Sequence, residues 1–90
     1  MAKFYSITVA NFIKQDGAWT FDMDWPINNR LFVTQEAARR FVKEHFPAAI
    51  QCQTDPNVYM MRSEEPYSNE FFTLLPEELV NLSIDEWELY

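Results

Sequence analysis

The chain has one cysteine, Cys52, one glycine, Gly17, and one histidine, His45. A lone cysteine excludes an intramolecular disulfide and a cysteine-based zinc site, which needs several ligands. A single glycine excludes a glycine-rich phosphate loop, and none of the compact metal-binding or hydrolase signatures is present. Long apolar runs are missing too. "MAKFYSITVANFIKQDG" lacks the unbroken core of a signal peptide, and no stretch approaches the ~20 apolar residues of a bilayer span. Small secreted domains usually depend on disulfides, so a reducing cytoplasm is expected, with no membrane partner, no metal and no other cofactor.

Basic residues are scarce and stop early. All seven Lys and Arg residues precede position 63, alongside six of the 14 acidic residues. The remaining eight acids follow in "SEEPYSNEFFTLLPEELVNLSIDEWELY" with no base among them, so this segment carries −8 and the rest of the chain +1, for a net charge of −7. A field of that sign opposes a phosphate backbone, and direct binding of nucleic acid is not expected.

What the chain does hold is aromatic bulk. Its 90 residues are 48% hydrophobic and 17% aromatic, far from a disordered composition. A chain of this length forms one domain, 1–90, and buries only about 60–65% of its unfolded surface. Rings must therefore fill much of the core, at roughly 150–250 Å² each.

Two strands open the chain. "KFYSITVANFI" alternates Tyr5, Ile7 and Val9 against Ser6, Thr8 and Ala10. "AWTFDMDW" sets Trp19, Phe21, Met23 and Trp25 against Thr20, Asp22 and Asp24, so all four large side chains should face the core. Asp16-Gly17 between the strands suits a primed hairpin turn. Pro26 ends the second strand, "INNR" reads as a turn, and "LFV" as a short strand or entry segment. Thr34 is a candidate N-cap for a helix over "QEAARRFVKEHF", with an apolar stripe at 37, 38, 41, 42 and 46. Glu36 in its first turn and His45 in its last agree with the helix dipole, Glu36–Arg40 and Arg40–Glu44 have i,i+4 spacing, and Pro47 stops it.

Downstream, "AAIQCQ" is a weak strand and "VYMMRS" a stronger one. "EEPYSN" reads as a loop, "EFFTLL" as a short apolar segment, and "PEELVN" as one helical turn starting at Pro76. The order of elements predicts an α+β domain: a small antiparallel sheet of 4–5 strands with one main helix packed on one face. For the terminus, Ser83 with Glu86 fits a capping box, and Leu82 with Trp87 a hydrophobic staple. That predicts a short acidic helical segment from about Ile84. A strand over "DEWELY" is the alternative; both readings bury Trp87.

Catalytic candidates are few. Asp22 and Asp24 would sit about 6.5–7 Å apart on one strand face, suited to acid–base chemistry or to a hard cation helped by Asn28 and Asn29. A solvated strand face has the same pattern. His45 would need a partner such as Cys52. Arg39, Arg40 and Lys43, with Arg30 nearby, form a candidate basic patch interrupted by Glu36 and Glu44. The acidic segment offers a candidate interaction surface: Glu64, Glu65, Glu70, Glu77, Glu78, Asp85, Glu86 and Glu88, interleaved with Tyr67, Phe71, Phe72, Trp87 and Tyr90.

The leading expectation is a non-enzymatic, acidic protein-binding protein whose partner presents a basic surface. One concrete form is an inhibitor that fills a nucleic-acid-binding groove, a nucleic-acid mimic of the kind some phage-encoded anti-defence proteins use. The alternatives are a small enzyme using Asp22, Asp24 or His45, and a structural subunit or homodimer with no catalytic role.

Overall fold

The computed structural model describes residues 2–27 and 30–89. Its elements are β1 (Ala2–Gln15), β2 (Ala18–Pro26), α1 (Gln35–His45), β3 (Ile50–Gln51), β4 (Val58–Met61), β5 (Tyr67–Ser68), β6 (Thr73–Leu74) and β7 (Glu78–Leu89). Five strands form an antiparallel sheet in the order β2-β1-β7-β4-β3, while β5 and β6 form a separate small hairpin. The α+β class and single main helix match the expectation. The acidic helical terminus does not.

The β1–β2 hairpin closes through Asp16 and Gly17, both with positive φ (51° and 82°). A type I′ turn requires this pair of values, and its twist matches that of the flanking strands. Beyond the turn, the register departs from strict alternation. Asn11 pairs with Met23 but Phe12 with Phe21, so Asp22 is an extra residue in β2, a β-bulge. Directly opposed residues share a face, so Trp25 and Met23 join Val9 and Asn11 beneath the helix. Phe21 and Trp19 join Phe12 and Lys14 on the other face. The expectation that all four large β2 side chains face the core fails at this bulge, and both Phe21 and Met23 are exposed.

Helix α1 forms as its sequence signals direct. The Thr34 hydroxyl accepts from the Ala37 N–H at 3.1 Å, and Ala38, Phe41 and Val42 point into the core. Phe46, fully buried at the helix end, stacks on Phe72 at 5.4 Å and packs edge-on to Phe71 at 5.7 Å. These rings hold the β5–β6 hairpin against the helix. Asn69 shapes that hairpin by accepting from the Phe71 and Phe72 N–H groups. Helix and hairpin together cover one face of the sheet, whose contribution to the core is Tyr5, Ile7, Val9, Tyr59, Met61, Val80, Leu82 and Ile84.

Two expected helical segments are strand or turn instead. "PEELVN" is a tight turn: the Glu78 N–H donates to Leu75 O and the Glu78 carboxylate accepts from the Leu75 N–H. From Glu78 the chain runs straight along β1, pairing continuously from Ile13↔Glu78 to Ala2↔Leu89. A helix of half a dozen residues satisfies few of its own backbone groups. The strand satisfies its own groups and those of β1, which would otherwise be a sheet edge. Val80, Leu82 and Ile84 then alternate into the core, and the proposed cap and staple residues are separated. Trp87 lands on the uncovered face, 51% exposed rather than buried. It stacks on Phe4 at 6.3 Å, and its indole N–H donates to Ser6 Oγ at 2.8 Å.

Candidate functional site

The antiparallel register gives the sheet two unlike faces. Beneath α1 lies the core. On the opposite face one cross-strand row runs Asp24–Ala10–Asn81–Met60–Ile50, through all five strands. The helix and the β5–β6 hairpin both pack on the other side, so this row faces outward. Met60 is 48% and Ile50 73% exposed. Toward one end of this face stand Phe4 and Trp87; toward the other, Phe12 and Phe21, edge to face at 5.8 Å. Beside them the Arg62 guanidinium covers the Trp19 ring at 4.9 Å. Near the Phe4 end, Asp85 accepts from the Thr8 hydroxyl at 2.6 Å.

The acidic residues expected to form one surface are distributed along the molecule. Glu78 and Glu86 share the strand β7 and the same face, about 27 Å apart at the usual rise per residue. Glu64 and Glu65 follow the end of β4, where Met61 pairs with Val80, so they lie at the Glu77–Glu78 end of the sheet. Glu70 sits in the β5–β6 turn, with Tyr67 half-buried just before it. At the opposite end, Lys3 approaches Glu86 (3.6 Å) and Glu88 (4.0 Å), and the Tyr5 hydroxyl donates to Glu86 at 3.3 Å. The segment without bases thus acquires one from the start of the chain. Tyr90 lies outside the described residues.

The catalytic candidates are not brought together. Asp24 belongs to the uncovered face and Asp22 to the bulge. His45 stacks on Phe41 at 4.1 Å at the end of α1. Cys52 follows β3, its Sγ 3.3 Å from the Thr54 hydroxyl. That hydrogen bond, joined by backbone groups of Thr54 and Asp55, holds the Cys52 thiol below its ordinary range, against burial and the Asp55 charge. Asn28 and Asn29, considered as extra cation ligands, lie outside the described residues. Among the described residues no group of three His, Cys, Asp or Glu side chains is placed to hold a metal ion. Among the described residues, too, no helix is long and apolar enough to cross a membrane.

Sequence reasoning recognised the cations of α1 but not the cavity beside them. A groove of about 510 Å³ separates α1 from the β3–β4 hairpin. Arg39, Arg40, Lys43 and Glu36 form its helical wall, Val42, Phe46 and Ala49 its apolar lining, and Gln51 and Tyr59 its sheet side. Arg39 is oriented by neutral oxygens. Its Nε donates to Asn57 Oδ1 at 3.0 Å and its terminal NH2 to Gln35 Oε1 at 2.8 Å. Asn57 is itself fixed by its backbone N–H donating to Asp55 Oδ1 at 3.0 Å. Arg30 stands elsewhere, over the Phe41 ring at 5.4 Å. Neither Glu36–Arg40 nor Arg40–Glu44 closes into an ion pair; among the described residues the ion pairs are those of Lys3.

No family model, curated protein or solved structure matches this chain.

Proposed function

We propose that this chain is a small, non-catalytic protein-binding protein that docks the uncovered face of its sheet, with the carboxylates around it, against a basic surface of a partner protein. The observation that carries the reading is the outward row ending in Met60 and Ile50, with Trp87 half-exposed on the same face, six residues along β7 from Asn81. Soluble domains rarely leave large apolar side chains grouped on one regular face without a use for them. Aromatic and Met anchors with charged surroundings are the composition of protein interfaces. The net charge of −7 selects a cationic partner and rejects polyanions.

The spread of carboxylates to both ends of an elongated body, 46 × 26 × 23 Å, supports an extended contact more than a focused one. In the particular form we favour, the chain lies along a nucleic-acid-binding groove of its partner and inhibits it, in a reducing cytoplasm. The test starts from a partner captured from native cell extract and then purified. Met60→Asp with Trp87→Ala should weaken binding at least tenfold. A variant with Gln at Glu64, Glu65 and Glu77 and Asn at Asp85, the β7 carboxylate of that face, should flatten the dependence of affinity on salt. If both variants bind as the parent does, with the same salt dependence, the proposal is wrong.

The exposed Ile50 and Met60 beside the short strand β3 also favour a second reading, a homodimer through the same face. Sedimentation equilibrium separates the two: a stable dimer of the free chain, abolished by Met60→Asp, would assign the face to a second copy.

A further inference from the structure

We infer that the groove between α1 and the β3–β4 hairpin is a binding site for a small organic anion, with a phosphate or carboxylate head on an apolar body. It lies on the covered side of the sheet and is independent of the docking face proposed above.

The argument begins with charge. This chain has twice as many acidic as basic side chains, 14 against seven. Yet three of its cations, Arg39, Arg40 and Lys43, gather along one wall of the groove without an ion pair to any described residue. Lone cations on an acidic protein would gain from any carboxylate within reach, and the helix offers Glu36 and Glu44 at favourable spacing. Arg39 instead spends two of its donors on the amide oxygens of Gln35 and Asn57. Those bonds fix the guanidinium plane without neutralising it. A cation held in this way is preorganised for an external anion, and its remaining N–H groups supply charge-assisted bonds.

Shape supplies the second half of the argument. The groove, about 510 Å³, falls in the usual range for small-molecule sites. Its lining of Val42, Phe46 and Ala49 would meet an apolar body, while the cations along the helical wall would meet the head group. On the far side, Gln51 donates to Pro56 O at 2.9 Å and to the Tyr59 hydroxyl at 3.4 Å, which keeps that wall in place. A bare inorganic ion would use the cations and waste the lining; a neutral apolar molecule would do the reverse.

The experiment titrates the isotope-labelled full chain with phenyl phosphate, benzoate, inorganic phosphate and benzyl alcohol, following backbone amide shifts. Phenyl phosphate or benzoate should saturably shift the amides of Lys43, Ala49, Gln51 and Tyr59, and the tighter of the two identifies the head group. Inorganic phosphate and benzyl alcohol should bind more weakly by about tenfold or more. The double variant Arg40→Gln/Lys43→Gln alters only exposed side chains, so unchanged amide shifts across the sheet will show that it folds. It should lose at least about tenfold in affinity for the aryl anion. Three results would each overturn the inference: no saturable shift at these amides, benzyl alcohol binding as tightly as the aryl anions, or the double variant binding as the parent does.

Discussion

Asn11 offers the sharpest test of the packing. It is 4% exposed on the covered face of β1, opposite Val80 and Met23, and its side-chain oxygen has no hydrogen-bond partner among the described residues. A buried acceptor left unpaired costs about 1–3 kcal/mol. Leucine has nearly the shape of asparagine, so Asn11→Leu removes that cost and adds apolar burial in the same space. Imperfect fit returns part of the gain, since core repacking strain runs about 1–3 kcal/mol. A net stabilisation of about 1–2 kcal/mol follows. With an unfolding entropy near 2.1 cal/mol/K per residue, each kcal/mol moves the Tm of a chain this long by about 5 °C, so Tm should rise by about 5–10 °C. Asn11→Asp, which places a charge in the same space, should lower Tm by more than that. Urea titration and calorimetry on both variants read the result. A lower Tm for Asn11→Leu would show that the amide oxygen is satisfied and that the reasoning about this position is mistaken.

Two further outcomes concern the closing strand and the cysteine. Leu82→Ala, at a fully buried position between Val9 and Tyr59, should cost about 2–5 kcal/mol. Trp87→Ala, half-exposed with one indole hydrogen bond, should cost only about 1–2 kcal/mol, and equal costs measured by urea unfolding would contradict the strand register. For Cys52, a lowered pKa means that thiolate persists to lower pH than in an ordinary cysteine. Its alkylation rate by iodoacetamide should therefore rise at lower pH than that of a free thiol, and Thr54→Val should move the profile upward. An unshifted profile in Thr54→Val would remove the Thr54 hydroxyl as the cause.

The parts of the fold that were legible in the sequence are those set by neighbours along the chain. Asp16-Gly17 carries its own backbone preference, and Thr34, Glu36 and Pro47 mark the limits of α1 without reference to anything distant. The bulge at Asp22 has no such local mark. It exists only in relation to β1, because an extra residue is defined by the partner that lacks one. The alternation from Trp19 to Trp25 is therefore genuine as a pattern and misleading as a guide to facing. The terminus failed for the same reason. Its capping box and staple were local signals of a helix, while the contact that prevailed, Ser6 with Trp87, spans 81 positions.

The candidate sites follow the same division. That Arg39, Arg40 and Lys43 share a helix face can be read from spacing; that they border a concavity depends on where the β3–β4 hairpin docks. The acidic segment shows the converse. In sequence it is a block of like charge, and a helix at its end would have kept that block together. Because its last part, β7, pairs with β1 along its whole length, the segment carries its carboxylates to both ends of the sheet and meets Lys3 at one of them. Segregation along the chain thus becomes dispersal in space. What the fold concentrates instead is cation on the helix beside a groove and apolar surface on the bare side of the sheet. Because these lie on opposite faces, the proposed groove ligand and the proposed protein partner would not compete. Neutralising Arg40 and Lys43 should then leave partner affinity unchanged, whereas a single shared site would make the two compete.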